Sequence, residues 1–130
     1  MNPRICTVKH NPPHSYADCI RACIATLLDR DDVPHVFDGR PAPDSWSELR
    51  AWLKSINRTL FLVDVGDPWE YMELNNPGVA FMLLCSTGSG DHAVICRNGK
   101  VVHDPAWYKT EIKGPHSVGV WIVGVIGIMT

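Results

Sequence analysis

The chain has 130 residues, which fits one domain over 1–130. Hydrophobic residues make up 45% and charged residues 20%, a globular balance that excludes a disordered, fibrous or low-complexity protein. Twelve Lys and Arg against fourteen Asp and Glu leave a formal net charge of -2, so no basic excess exists to bind a phosphate backbone, and a dedicated nucleic-acid binder is disfavoured.

Residues 1–17 carry three prolines and read as an irregular lead-in. Ile20, Cys23, Ile24, Leu27 and Leu28 then recur at helical spacing, which predicts a mostly buried helix. Asp18 stands where an N-cap belongs, so Cys19 falls in the first turn. Asp29-Arg30-Asp31-Asp32 and Pro34 end this helix. After a loop over 33–43, Ser45-Trp46-Ser47-Glu48 reads as a capping box, and Leu49, Trp52, Leu53 and Ile56 form one apolar stripe of a second helix. Thr59 to Val65 is strand-like, Trp69 to Met72 a short helical turn, and Gly78 to Cys85 a continuous apolar run that predicts a buried strand.

Ser86 to Gly90 reads as a flexible loop. His92 to Cys96 and Lys100 to His103 flank Asn98-Gly99, a strong hairpin signal because a type I′ turn needs positive φ twice. From that turn Arg97 pairs with Lys100 and Cys96 with Val101. Continued, the ladder sets His92 opposite Pro105 and beside Asp104. Ser117 to Ile128 supplies a last strand or bent strand pair. Helices followed by strands predict an α+β fold with N-terminal helices packed on an antiparallel sheet. The longest apolar stretch, 118–129, is shorter than the ~18–20 residues of a membrane helix, so no membrane association is expected. Met1 to Cys6 shows no apolar signal region. Five cysteines, an odd number, then read as free thiols in a reducing cytoplasm.

Cys19, His92 and Asp104 carry the chemistry. A thiol becomes a good nucleophile once its proton is removed, and a helix N-terminus favours the thiolate. An imidazole can take that proton and later return it to a leaving group, and a carboxylate on the far ring nitrogen sets the tautomer. His103 is the rival histidine, next to Asp104. Cys6, Cys23, Cys85 and Cys96 read as core residues, and His35 and His116 as loop residues. Cys19, Cys23, His92 and Cys96 supply enough N and S donors for zinc. Their placement on an apolar helix lacks the tight knuckle of a structural zinc site, and neither metal nor cofactor is expected.

The run Cys19 to Leu28, the triplet Val33-Pro34-His35, His92-Ala93-Val94 and His103-Asp104-Pro105 together resemble the papain-like cysteine peptidase superfamily. The likeness is nearest to its bacteriocin-processing, double-glycine-leader branch and to small papain-fold proteins of phages and bacteria. The resemblance implies a cytoplasmic thiol protease or related hydrolase that cleaves a peptide, isopeptide or related amide bond in a peptide or protein substrate. It makes Cys19 the nucleophile, His92 the general base and acid, and Asp104 the orienting group. That superfamily places a glutamine a few residues before the cysteine as an oxyanion donor, and this chain contains none. His14 and Asn11 are the upstream side chains that stand in its place. The departure also keeps open a catalytically weak or inactive interaction protein, such as a phage-type inhibitor or host-factor binder. The sequence leaves the oligomeric state open.

Overall fold

Helix α1 spans Cys19–Leu28, and Asp29 ends it in the left-handed region with φ 55°. The Asp29 N–H returns to the Ala25 and Thr26 carbonyls, satisfying acceptors that the helix end leaves open. Asp18 occupies the N-cap position but makes no side-chain cap bond, contrary to the sequence expectation. Its carboxylate instead accepts from Arg21 Nε at 2.6 Å, because a bond to a guanidinium is roughly twice as strong as one to a neutral backbone N–H. The computed structural model describes residues 2–7, 18–37, 42–88, 90–106 and 110–129.

Helix α2 spans Ala42–Ser55, three residues ahead of the expected capping box. Pro43 is at home in a first turn, where the N–H it lacks has no helical partner. Ser45 therefore lies inside the helix rather than at its cap, fully buried and with Oγ unpartnered. Leu49 and Leu53 form the buried stripe, with Trp52 and Ile56 packed alongside. Between strands β1 (Arg58–Val65) and β2 (Phe81–Thr87) lies α3 (Pro68–Asn75). Asp67 caps α3 by accepting from the Trp69 and Glu70 N–H groups, and Pro68 opens it.

The remaining strands are β3 (Gly90–Arg97), β4 (Lys100–His103), β5 (Ile112–Pro115) and β6 (Trp121–Ile128). All pairings are antiparallel, in the order β1-β6-β2-β3-β4, with β5 beside the end of β2. Three helices and this six-stranded sheet make the described fold α+β. Side chains alternate along β2, with Met82 and Leu84 in the core under α1 and α2, and Phe81, Leu83 and Cys85 in a second core shared with α3. Burial on both faces explains why β2 is a continuous apolar run rather than an alternating one. Ser86 and Thr87, expected in a flexible loop, instead pair with Asp91 and Gly90 as the end of β2. No helix of the described residues is long and apolar enough to cross a membrane.

Candidate active site

The Asn98-Gly99 turn carries φ of 53° and 80°, the positive pair a type I′ turn requires. Arg97 pairs with Lys100 and Cys96 with Val101, as the turn dictates. The ladder then departs from the sequence expectation: Ile95 pairs with His103, leaving Val102 as the extra residue of a β-bulge. An unbroken ladder would have set Asp104 opposite Ala93, on the face His92 does not share. The bulge moves Asp104 one step, level with Val94, so that continued alternation brings it to the face of His92.

His92 and Asp104 meet there. His92 Nε2 lies 2.7 Å from Asp104 Oδ1, with side-chain exposures of 11% and 24%. A carboxylate only accepts, so in the neutral ring Nε2 holds the proton and Nδ1 keeps the lone pair. Asp104 also accepts from the Ala106 N–H at 2.9 Å and from the Thr110 hydroxyl. Burial pushes the Asp104 carboxyl up, but the bonds from Thr110, Ala106 and His92 together hold it below the ordinary carboxylate value. Thr110 carries no signal in the sequence that would have marked it.

Cys19 opens α1, half-buried at the rim of the core between the helices and the sheet. Desolvation raises its thiol above the ordinary cysteine value. Backbone hydrogen bonding from Ala93, Ile20 and Cys19 itself works the other way, and the Asp18 carboxylate adds to the rise. The sulfur thus faces the backbone of the residue that follows His92. Among the described residues the His92 ring bonds to Asp104, while the thiol turns to the Ala93 backbone.

Burial pushes the Cys6, Cys85 and Cys96 thiols up to about 12. His103, the rival, donates from Nε2 to the Arg4 carbonyl and ties the N-terminal segment to β4. His35 is half-exposed, its Nδ1 3.7 Å from Asp18. His116 and Ser117 fold back onto Asp91, with Ser117 N and Oγ at 2.8 and 2.6 Å and His116 Nε2 at 3.3 Å, pinning the β5–β6 turn to the head of β3. Asn11 and His14, the candidate oxyanion donors, lie outside the described residues. Among those residues no group of three or more His, Cys, Asp or Glu is placed to hold a metal ion.

Sequence reasoning missed the Asp18–Arg21 pair, buried at 5% and 7% exposure beside Cys19. Its i,i+3 spacing of opposite charges was the signal available. A cavity of about 330 Å³ lies elsewhere, between α3 and the β3–β4 turn, lined by Trp69, Met72, Glu73 and Asn98 among others. Comparison with family models, curated proteins and solved structures returned no match.

Proposed function

We propose that this chain is a cysteine hydrolase of papain-like fold that cleaves a peptide, isopeptide or related amide bond. Cys19 is the nucleophile, His92 the general base and acid, and Asp104 the orienting group. The 2.7 Å bond from His92 Nε2 to Asp104 supports this reading most directly, since it leaves the Nδ1 lone pair for the thiol proton. Because burial keeps Cys19 protonated at rest, the proton leaves during attack rather than beforehand. Sulfur adds to the substrate carbonyl as Nδ1 takes the proton. The imidazolium then protonates the departing amine, leaving a thioester that water hydrolyses with His92 again as base.

The test is labelling by an electrophilic peptide amide analogue, read by mass spectrometry. One adduct on Cys19 is expected, lost in Cys19→Ala and slowed in His92→Ala. Undiminished labelling of the Cys19→Ala chain overturns the assignment. The raised Cys19 thiol also favours a second reading, an inactive interaction protein on the same fold. Under that reading Cys19→Ala retains full partner binding, and no adduct forms in the wild-type chain.

A further inference from the structure

Residues 4–7 run beside α1. Arg4 N donates to Thr26 Oγ1 at 2.8 Å, and Thr7 N and Oγ1 both donate to the Asp18 carboxylate at 2.9 Å. From Asp18 to Thr26 a helix rises about 12 Å, and three steps of extended chain cover about 10 Å, so the segment is extended and opposite in direction to the helix. Its burial alternates as an extended chain requires: Ile5 is 57% exposed, Cys6 5%, and Thr7 exposed again. Asp18, Ala22 and Thr26 form one i,i+4 row of α1, and Cys19 and Cys23 form the next. Cys6, one residue from Thr7, therefore lies level with the first turn and turns inward. On its other side Cys6 N donates to the Pro105 carbonyl at 2.7 Å, which fixes it between α1 and the segment after β4. Desolvation raises the Cys6 thiol first, and Cys19 contributes next, ahead of Asp18. Cys19 and Cys6 act in the same way on the buried Cys23 thiol.

Three thiols thus gather at the head of α1, and geometry selects which two can join. Cys19 and Cys23 are i,i+4 on a helix, with Cβ atoms about 5–6 Å apart, whereas a disulfide holds its Cβ atoms at roughly 3.5–4.5 Å. Cys85 and Cys96 belong to the second core, on the face of the sheet away from α1. Cys6 is on an extended segment whose spacing from α1 is not set by the helical repeat, so it is the partner within reach of Cys19. Cys19 is the most accessible of the three and meets an oxidant first, since Cys6 is nearly buried and Cys23 wholly so.

We propose that Cys6 and Cys19 are a redox pair that a hydroperoxide joins into a disulfide, pinning residues 4–7 to the first turn of α1. The Cys19 sulfur attacks one peroxide oxygen, the O–O bond breaks, and with hydrogen peroxide the departing hydroxide leaves as water with the thiol proton. The Cys6 sulfur then attacks the sulfenic sulfur of Cys19, and a second water leaves with the Cys6 proton. Two thiols lose two electrons to one peroxide, and a dithiol reverses the step by exchange. In one respect this rests on the hydrolase reading: there the disulfide withdraws the nucleophile reversibly and spares it from sulfinic acid.

Trypsin separates the three thiols, because Arg4, Lys9, Arg21 and Arg30 leave Cys6 on peptide 5–9, Cys19 on 10–21 and Cys23 on 22–30. The folded chain is treated with hydrogen peroxide, its remaining thiols are alkylated in urea, and the digest is read by mass spectrometry without reduction. Peptides 5–9 and 10–21 are expected as one species, lighter by two hydrogens than their sum, which dithiothreitol separates. Peroxide added in urea instead scatters the pairing over all five cysteines. Cys23→Ser keeps the link, and Cys6→Ser leaves a Cys19 sulfenic acid that dimedone captures. Peptide 10–21 carrying sulfinic acid while 5–9 is still alkylated overturns the pair. So does a link from 10–21 to 22–30, or scattered pairing in the folded chain. The link is read by mass and needs no turnover, so a reduced chain that the amide analogue never labels removes the hydrolase reading and leaves the pair standing.

Discussion

Asp18 heads the helix that carries Cys19, yet its carboxylate turns to Arg21, 2.6 Å from Nε, rather than to the helix's own N–H groups. The same carboxylate accepts from Thr7 N and Thr7 Oγ1, both at 2.9 Å. Asp18→Asn leaves the Arg21 charge buried without its partner, and a loss of about 3–5 kcal/mol is expected in chemical denaturation. It also removes a negative charge that raises the Cys19 thiol, a contribution second to desolvation. The pH at which Cys19 alkylation reaches half its limiting rate therefore falls in Asp18→Asn. An unchanged midpoint would show that Asp18 exerts no field on the sulfur.

Asp104 is held below the ordinary carboxyl value despite its burial. A group depressed on folding stabilises the native state above its unfolded pKa, and that stability drains away as pH falls through the folded value. Acid unfolding followed from pH 6 downward should therefore lose its Asp104-dependent limb, at and below the ordinary carboxyl value of 3.8, in Asp104→Asn. In a hydrolysis assay the same variant is expected to lose roughly 10²–10⁴-fold in kcat, because an amide can hold the imidazole in the wrong tautomer. Equal acid limbs in the two proteins would remove Asp104 from the titrating set.

Val102 is the residue that the bulge adds between Val101 and His103. Deleting it heals the ladder with Ile95 still opposite His103 and Asp104 still level with Val94, on the face of His92. The deletion is therefore expected to preserve both the hairpin, seen in unchanged far-ultraviolet circular dichroism, and the His92–Asp104 bond. Nuclear magnetic resonance of the His92 ring reports this as retention of the hydrogen-bonded Nε2 proton. Loss of that resonance would mean that the local twist of the bulge, and not the register beyond it, sets the facing of the pair.

Burial raises Cys6, Cys85 and Cys96 to about 12 from an ordinary 9.0. For an acid raised on folding, stability is complete below the unfolded pKa and declines as pH climbs toward the folded one. The unfolding free energy from urea titrations should therefore fall between pH 9 and 12, by up to about 1.4 kcal/mol per pH unit for each thiol. Cys96→Ala starts less stable because it leaves a cavity, and its alkaline decline is shallower than that of the wild type. Parallel declines would exclude Cys96 as a contributor.

Much of the fold was legible because its signals are local. Helical spacing after Asp18, the Asn98-Gly99 pair and the apolar run into β2 each announce an element without reference to distant residues. The errors arose where tertiary partners overrode local chemistry. Arg21 drew Asp18 away from capping, Pro43 started α2 before Ser45, and strand pairing absorbed Ser86 and Thr87. Strand β5 escaped notice because Ile112-Lys113-Gly114-Pro115 has neither alternation nor β-branched content enough to stand out, and it forms by pairing with β2. At the site, His92 and Asp104 were legible as types at a hairpin, while the bulge that sets their facing leaves no mark in Val101-Val102.

The N-terminal segment ties α1 to the end of β4 around the same place. Arg4 N donates to Thr26 Oγ1 in α1, the Arg4 carbonyl accepts from His103, and Cys6 N donates to the Pro105 carbonyl. The closure from Arg4 to His103 spans 99 residues, so its loop entropy must be overcome before it returns any stabilisation. During synthesis a chain emerging from the ribosome can wind α1 early, but Cys19 gains its neighbours only once residues 92–105 have left the exit tunnel. Under the proposed hydrolase reading, activity waits for those contacts, and truncations from either terminus should extinguish it well before they erase the helices.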